Sequence, residues 1–368
     1  MNNYIGIIIP KSTYVNMPDL RGNVLSMFSI WENTAQKHGL TPCYIRFFDV
    51  RPNEKTVMAY VKEDTNYRLK QIPSPKVIYS RVLDHLPAYR AHIQSLTQNG
   101  ISVFNIPNYD VDKYTVHKIL NKDSHIRKHL PDTELFTIDN LNRLVTRYDR
   151  LILKKSYGEF GEGTMKLERL PVGWVLSYKT KGDKELKKIA FQKTLPAILQ
   201  KRIHEHTYLI QKLIPLATFH GRPFDMRVAV QRNLKGEFQV SGIMCKVAQD
   251  NDFLTNGAQG GTTYPLKSIA HVTHPNISYQ TLVKTISDFS LYVANYLAQH
   301  FPHLADLGFD LGITKDGTPY FIECNFISDY VSGLFKEGKL INPEWESVFS
   351  TPIDYAKFLI TQKKSLIE

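Results

Sequence analysis

Cysteine is scarce: Cys43, Cys245 and Cys324 are the only three, far apart and odd in number. This excludes a disulfide framework and any Cys-x-x-Cys metal knuckle, and it suits a reducing cytoplasm. Long apolar runs are missing too. No uninterrupted stretch approaches the roughly 20 residues that a membrane helix requires, which excludes a membrane-spanning role. There is no internal repeat and no low-complexity tract. Among thirteen histidines no His-Glu-x-x-His occurs, and no Gly-x-Ser-x-Gly elbow is present. His125 and His129 share a helix face without a third ligand, which argues against zinc. Tyrosine and phenylalanine are plentiful but dispersed through strands, so nucleic acid stays a minor alternative.

What is present is a mixture of 42% hydrophobic and 22% charged residues, with 46 Lys+Arg against 35 Asp+Glu and a net charge of +11. That describes a folded, basic protein of two or three core-bearing units at about 150 residues each. The positive excess asks for an anionic partner: nucleotide, acidic substrate, anionic surface or nucleic acid. The opening MNNYIGIIIP has no basic stretch before its apolar segment, and Pro10 stops it. It is therefore expected to be a buried strand and not a signal peptide.

The first hundred or so residues alternate strands with helices: YIGIII, a helix from Gly22 to His38, CYIRFFDV, KVIYSRV, a helix from Ala91 to Asn99, and ISVFN. This is an open α/β pattern. Val24, Phe28, Trp31 and Ala35 make one apolar helix face, and Gly39 sits where a left-handed C-cap is wanted. Asn108 to Pro131 reads as polar and helical. A β-rich unit follows: LILKK, a glycine-studded turn, KLERL, GWVLSYKT, a basic helix-forming stretch to His204, and TYLIQKLI. Two hairpins come next, RVAVQRNLKGEFQVSGIMCKVA and FDLGITKDGTPYFIECN, separated by a long amphipathic helix within Ser278 to His300. A last helix is expected after Pro352. The lysine-rich stretch Lys179 to Lys188 reads as a solvated loop and helix start.

Three constellations carry chemistry. In Ser156 to Thr164, Gly158, Gly161 and Gly163 let successive backbone N–H groups approach a phosphate. Thr164 stands where a P-loop needs Lys, so that assignment is rejected; a plain β-hairpin loop is the alternative, and Glu159 and Glu162 favour it. In the second constellation, a two-residue Asp316-Gly317 turn pairs Lys315 with Thr318 and so sets Asp310 opposite Glu323, with Asn325 on the same face. Two carboxylates and an amide oxygen among apolar neighbours suit Mg²⁺; a surface hairpin with scattered acids is the alternative. In the third, a turn near Lys235-Gly236 brings Asp225, Arg227 and Lys246 to one face, either a site for anionic oxygens or an ordinary exposed ion pair.

In order and spacing this set resembles the ATP-grasp fold. The "RG" at Arg21-Gly22, PKVIYSRV, VDKYTVHKIL and PFDMRVAVQ resemble the YheC/YheD-like group of spore-forming bacteria, described as endospore coat-associated. The resemblance implies an α/β and α+β chain with three units: a pre-ATP-grasp α/β domain (1–107), an ATP-grasp N-terminal lobe carrying the flap (108–210), and a C-terminal lobe carrying the Mg²⁺ hairpin (211–368). It implies that Lys113 and Lys154 contact the phosphates of ATP, that Ser156, Gly158, Gly161 and Gly163 belong to the flap, and that adenine lies against Gln211, Lys212, Leu213 and Ile214. Asp225 completes the nucleotide set, and Asp310, Glu323 and Asn325 hold Mg²⁺. Arg227 and Lys246 neutralise the transferring phosphoryl group. Asn256, Gly260 and Gly261 lie near the acceptor substrate, while Arg81 leaves room for an acidic one. Lys155 stands where many relatives have Pro, Lys246 replaces a more usual Arg, and the stretch after Asn325 lacks a customary Pro.

The implied chemistry is ATP- and Mg²⁺-dependent carboxylate–amine ligation through an acyl phosphate, on amino acid or peptide substrates. A kinase on the same fold and an ATP-binding coat-associated structural protein are the alternatives. A homo-oligomer in the cytoplasm, with no membrane partner, completes the expectation.

Overall fold

The near-continuous apolar runs YIGII, TPCYI and VIYS let each strand bury side chains on both faces of a sheet. The computed structural model describes residues 3–365 apart from 83–86, 106–110, 181, 184, 251, 332–334, 337–338 and 341. Its first sheet holds β1 (Tyr4–Ile8), β2 (Thr41–Ile45), β3 (Thr56–Glu63), β4 (Asn66–Pro73), β5 (Val77–Ser80) and β6 (Ser102–Phe104), in the order β4-β3-β2-β1-β5-β6. β1, β2, β5 and β6 run parallel. After the short α1 (Lys11–Val15), α2 (Gly22–Lys37) covers one face with Phe28, Trp31 and Ala35, as its spacing predicts. α3 (Pro87–Gln98) covers the other through Leu96. Gly39 adopts φ +67° and closes α2, with Leu40 N–H donating to Ala35 O at 2.9 Å. The sequence reading missed the β3–β4 hairpin, although TVMAYV alternates as a half-buried strand should.

β7 (Thr133–Leu135), β8 (Arg150–Lys155), β9 (Met165–Arg169), β10 (Trp174–Tyr178), β11 (Lys187–Phe191) and β12 (Tyr208–Lys212) form a second sheet, ordered β11-β10-β9-β8-β12-β7. α5 (Ile138–Arg147) and α6 (Ala197–Glu205) bury Leu141, Leu144 and Leu199 against it. The third sheet is ordered β16-β15-β14-β17-β18, from β14 (Arg222–Arg232), β15 (Phe238–Val247), β16 (Thr262–Pro265), β17 (Asp306–Ile313) and β18 (Pro319–Asn325), with the short β13 (Thr218–Phe219) on β14. α7 (Leu266–Thr273) and α8 (Tyr279–His300) pack behind it.

Two segments pack outside the unit to which the sequence assigned them. Asn108 to Pro131 is not one helix. Residues 108–110 lie outside the described residues; beyond them α4 (Lys113–Leu120) is followed by a 3-10 turn, Ile126–His129. Val116, Leu120, Ile126 and Leu130 all join the core of the third sheet. The expected start of the last helix after Pro352 is likewise corrected: α9 runs Glu346–Ser365 with Pro352 inside it. Proline cannot donate to the carbonyl four residues back. Gln231 Nε2 supplies that missing donor, bonding Val348 O at 2.9 Å. Val348, Phe349, Ile353 and Ala356 then fill the core beneath β1 and α2.

Both hairpins of the third sheet depart from the expected turn in the same way. Thr314 N–H donates to Thr318 O at 3.1 Å, so the loop is the three residues Lys315, Asp316 and Gly317, with Gly317 at φ +83°. A β-bulge that leaves Ile322 unpaired restores the offset, and Asp310 does face Glu323. In the other hairpin Asn233 N–H donates to Glu237 O at 2.9 Å across a loop with Gly236 at φ +80°, and a bulge at Ser241 returns Lys246 to Asp225. Among the described residues no helix is long and apolar enough to cross a membrane.

Candidate active site

The second and third sheets face each other across a cleft. β8 alternates, so Leu153 enters its own core while Lys154 projects into the cleft, buried to 8% exposure with Nζ 3.3 Å from Ile322 O. Burial, reinforced by the nearby charge of Lys113, brings the Lys154 pKa down to about 8 despite the opposing pull of Glu323. Lys113 begins α4, whose N-cap Asp112 accepts from Thr115 N at 2.8 Å and from the Ser156 hydroxyl. Lys113 Nζ donates to Gly158 O at 2.7 Å and lies 3.3 Å from Glu323 Oε2. One lysine therefore touches both the flap and the expected metal hairpin.

Asp225 and Asp310 line the opposite wall; Arg227 and Lys246, which are not in that lining, join them in a four-charge cluster on β14, β15 and β17. Arg227 Nε donates to Asp310 Oδ1 at 2.7 Å, and Lys246 Nζ to the same oxygen at 3.0 Å. Lys246 also lies 3.1 Å from Asp225 Oδ1, whose Oδ2 accepts from Thr255 Oγ1 at 2.6 Å. Two cations and two carboxylates thus neutralise one another out of water, so the reading of these residues as an ordinary exposed ion pair falls. Burial pushes Asp225 up, and the charge of Lys246 does not fully offset it. Burial would raise Asp310 as well, yet Arg227 and then Lys246 outweigh it and hold its carboxyl well below the usual range.

The loop from Ser156 to Thr164 joins β8 to β9 as a hairpin and arches over the cleft, with Gly158, Glu159, Gly161 and Glu162 in its lining. Gly163 adopts φ +76°, and a Cβ there would stand 2.7 Å from Tyr208 Oη and 2.8 Å from Lys155 Cε. Its carbonyl accepts from Tyr208 Oη at 2.9 Å, which anchors one end of the loop. Lys212, Leu213 and Ile214 line the cleft floor with Ile152, Leu216 and Ile322. The Gln211 side chain is turned inward, donating to Thr133 Oγ1 at 2.8 Å.

A family model described as YheC/D like ATP-grasp matches residues 100–359. The chain belongs to this family. It is 26% identical over 279 residues to the endospore coat-associated protein YheD of Bacillus subtilis, a match covering 74% of this chain and 61% of YheD. It is 22% identical over 330 residues to YheC of the same organism, covering 87% and 89%. The chain thus spans about three fifths of the length of YheD. The fold is that of ATP-grasp ligase PsnB, solved in complex with minimal precursor, Mg and ADP, at TM-score 0.54, 15% identity and 99% coverage of both chains. D-alanyl-alanine synthetase A from Vibrio cholerae superposes at TM-score 0.53, with 11% identity and full coverage of both chains.

For this YheC/D-like chain, the donors on the β17–β18 hairpin are of the kind that suits a hard divalent cation. Asp310 and Glu323 pair across the strands, and Asn325, whose Nδ2 donates to Gly308 O at 3.2 Å, pairs with Gly308. All are oxygen donors. Among the described residues no cluster of three His, Cys, Asp or Glu forms; the hairpin presents two carboxylates and one amide. Asp310 Oδ2 is the less engaged oxygen, with Arg227 Nη2 at 3.5 Å.

Other expected residues fall elsewhere. Asn256 lines the cleft beside the flap. Gly260 and Gly261 shape the turn behind it: a Cβ on Gly261 would stand 1.9 Å from Thr255 O. Arg81 lies at the seam with the N-terminal sheet, bonded to Ser328 O and Asp306. Lys179 is not part of a solvated loop; it is buried and pairs with Asp252 at 2.5 Å. His129 Nδ1 is engaged with Pro319 O. Sequence reasoning missed Ser328 and His117, the latter pushed down to about 4 by burial and Lys154. Only Asp112 carried a local signal, as an N-cap ahead of a helix.

Proposed function

We propose that the chain is an ATP- and Mg²⁺-dependent carboxylate–amine ligase that forms an amide or peptide bond through an acyl phosphate. One observation supports this above the others: Lys113 and Lys154 approach the paired Asp310 and Glu323 across a cleft whose floor is apolar. Such a place holds a polyphosphate with its base on the floor. Lys154 and Lys113 bind the phosphates, Lys212 to Ile214 offer main-chain groups and apolar side chains to adenine, and Ser156 to Gly163 exclude water from above. Asp310, Glu323 and Asn325 would hold Mg²⁺, which when bound would neutralise phosphate charge and polarise the phosphorus–oxygen bonds.

The substrate carboxylate attacks the γ-phosphorus in line, breaking its bond to ADP and forming the acyl phosphate. The amine then attacks the acyl carbon, and inorganic phosphate leaves. Arg227 and Lys246 face the oxygens on which negative charge builds in both steps, held ready by Asp310. The names of the solved neighbours support a ligase, and the names of both Bacillus relatives support action at the spore coat. The test is incubation with ATP, Mg²⁺ and pooled amino acids and peptides. ADP and free phosphate appearing together with an amide product is the expected result. ADP with phosphate retained on a product points instead to a kinase, and no turnover across a broad pool defeats the ligase reading.

A further inference from the structure

β5 ends at Ser80 and delivers Arg81 to the seam between the first and third sheets. There its guanidinium lies between the rings of Tyr79 and Tyr330, at 5.9 and 5.8 Å from their centroids. Nη1 faces Asp306 Oδ2 at 3.4 Å, and Nη2 donates to the Ser328 carbonyl at 2.8 Å. The Arg81 side chain is 12% exposed and that of Asp306 is fully buried. Asp306 is fixed in turn by Tyr79, by Tyr330 Oη at 2.9 Å and by Gln231 Nε2 at 2.8 Å. This arrangement leaves Arg81 little freedom to meet a substrate. It does place Arg81 one residue away from the cleft chemistry, because the buried Ser328 hydroxyl accepts from Arg227 Nη1.

Arg227 is thus held along two edges, by Asp310 through Nε and Nη2 and by Ser328 through Nη1. Gly308 is part of the same device. A Cβ there would stand 2.3 Å from Ser328 Oγ and 3.2 Å from Arg227 Cδ, so the absent side chain is what lets the serine and the arginine meet.

We propose that Arg81 and Ser328 are positioning residues for Arg227: Arg81 pins the Ser328 backbone, and the Ser328 hydroxyl fixes the plane in which the Arg227 guanidinium faces the reacting oxygens. This rests on the ligase reading of Arg227. The N-terminal domain then contributes to the reaction without touching substrate. Lost orientation of a charged group costs rate more than binding, and a displacement near 1 Å can cost about a hundredfold.

The full-length chain is tested as Ser328→Ala, Arg81→Met, Arg81→Lys and the Ser328→Ala/Arg81→Met double variant. In Ser328→Ala, kcat for ADP release falls about ten- to a hundredfold, with KM for ATP and for the carboxylate within about twofold. Arg81→Met shows a similar loss, adds less than about twofold to Ser328→Ala because both act along one path, and is partly rescued by Arg81→Lys. A raised KM for the carboxylate with kcat preserved in Arg81→Met would make Arg81 a substrate contact and overturn the proposal. Losses that multiply in the double variant would also overturn it.

A second readout needs no turnover: the Arg227 Nε–H signal in ¹⁵N–¹H spectra, assigned through Arg227→Lys. Its exchange with water accelerates in Ser328→Ala and in Arg81→Met. Unchanged exchange sinks the proposal whatever the substrates prove to be. Accelerated exchange in a chain that never releases ADP supports the positioning device and counts against the ligase reading alone.

Discussion

The two walls of the cleft solve the problem of buried charge in opposite ways. On the third sheet, Asp225, Arg227, Lys246 and Asp310 cancel one another's charge in contact, while Asp225 Oδ1 has no hydrogen-bond partner among the described residues. On the second sheet, Lys154 is equally buried, but among the described residues its Nζ reaches only the Ile322 carbonyl, at 3.3 Å. The first wall is balanced in charge without a ligand. The second carries an unrepaid desolvation cost that an anion relieves. Stability and affinity are therefore expected to respond to substitution on different sides of the same cavity.

Asp310→Asn is the largest expected effect. It removes the only carboxylate that Arg227 pairs with among the described residues and leaves Lys246 with Asp225 alone, and removing one partner of such a buried network costs about 3–5 kcal/mol. Urea unfolding should show that loss, and Mg²⁺-dependent nucleotide binding should vanish with it. Lys154→Met should separate the walls. Nucleotide affinity should fall about ten- to a hundredfold, as the loss of hydrogen bonds from a charged donor implies, while the thermal midpoint stays level or rises. A midpoint that falls as far as in Asp310→Asn would erase the distinction between the walls.

The pH dependence sharpens the same contrast. Lys154 titrates at about 8 in the folded chain against an ordinary 10.5. Between those values the unfolded chain binds the extra proton, so the destabilising contribution of Lys154 is full below pH 8 and fades as the pH rises towards 10.5. Phosphate binding needs the proton, so affinity should drop by up to about tenfold per pH unit above 8. Calorimetric titration across that range checks both signs, with Lys154→Arg holding its affinity. The smallest effect is expected at the flap. Gly163→Ala forces an L side chain to φ +76° against Tyr208 and Lys155, at about 1 kcal/mol, and should open the loop to proteolysis with little change in global unfolding.

Local chemistry was legible in the chain where period and cap signals agree: the α2 stripe with Gly39, the convergence of Asp310 with Glu323, and that of Asp225 with Lys246. The two convergences held for a reason the letters do not display. Each turn is one residue longer than a two-residue loop, and each strand pair carries a bulge that takes the difference back. The fates of Lys179, Arg81 and Ser328 were not legible, because their partners lie 73, 225 and 101 positions away and no spacing rule spans such distances. Pro352 misled for the same reason: the donor that rescues its helix is Gln231, on a strand of another unit.

That last helix also bears on how the chain is made. Val348, Phe349, Ile353 and Ala356 complete a core whose other walls, β1 and α2, leave the ribosome some three hundred residues earlier. This part of the core can therefore close only once α9 has been made, and it joins the first sheet to Ala229 and Met244 of the third.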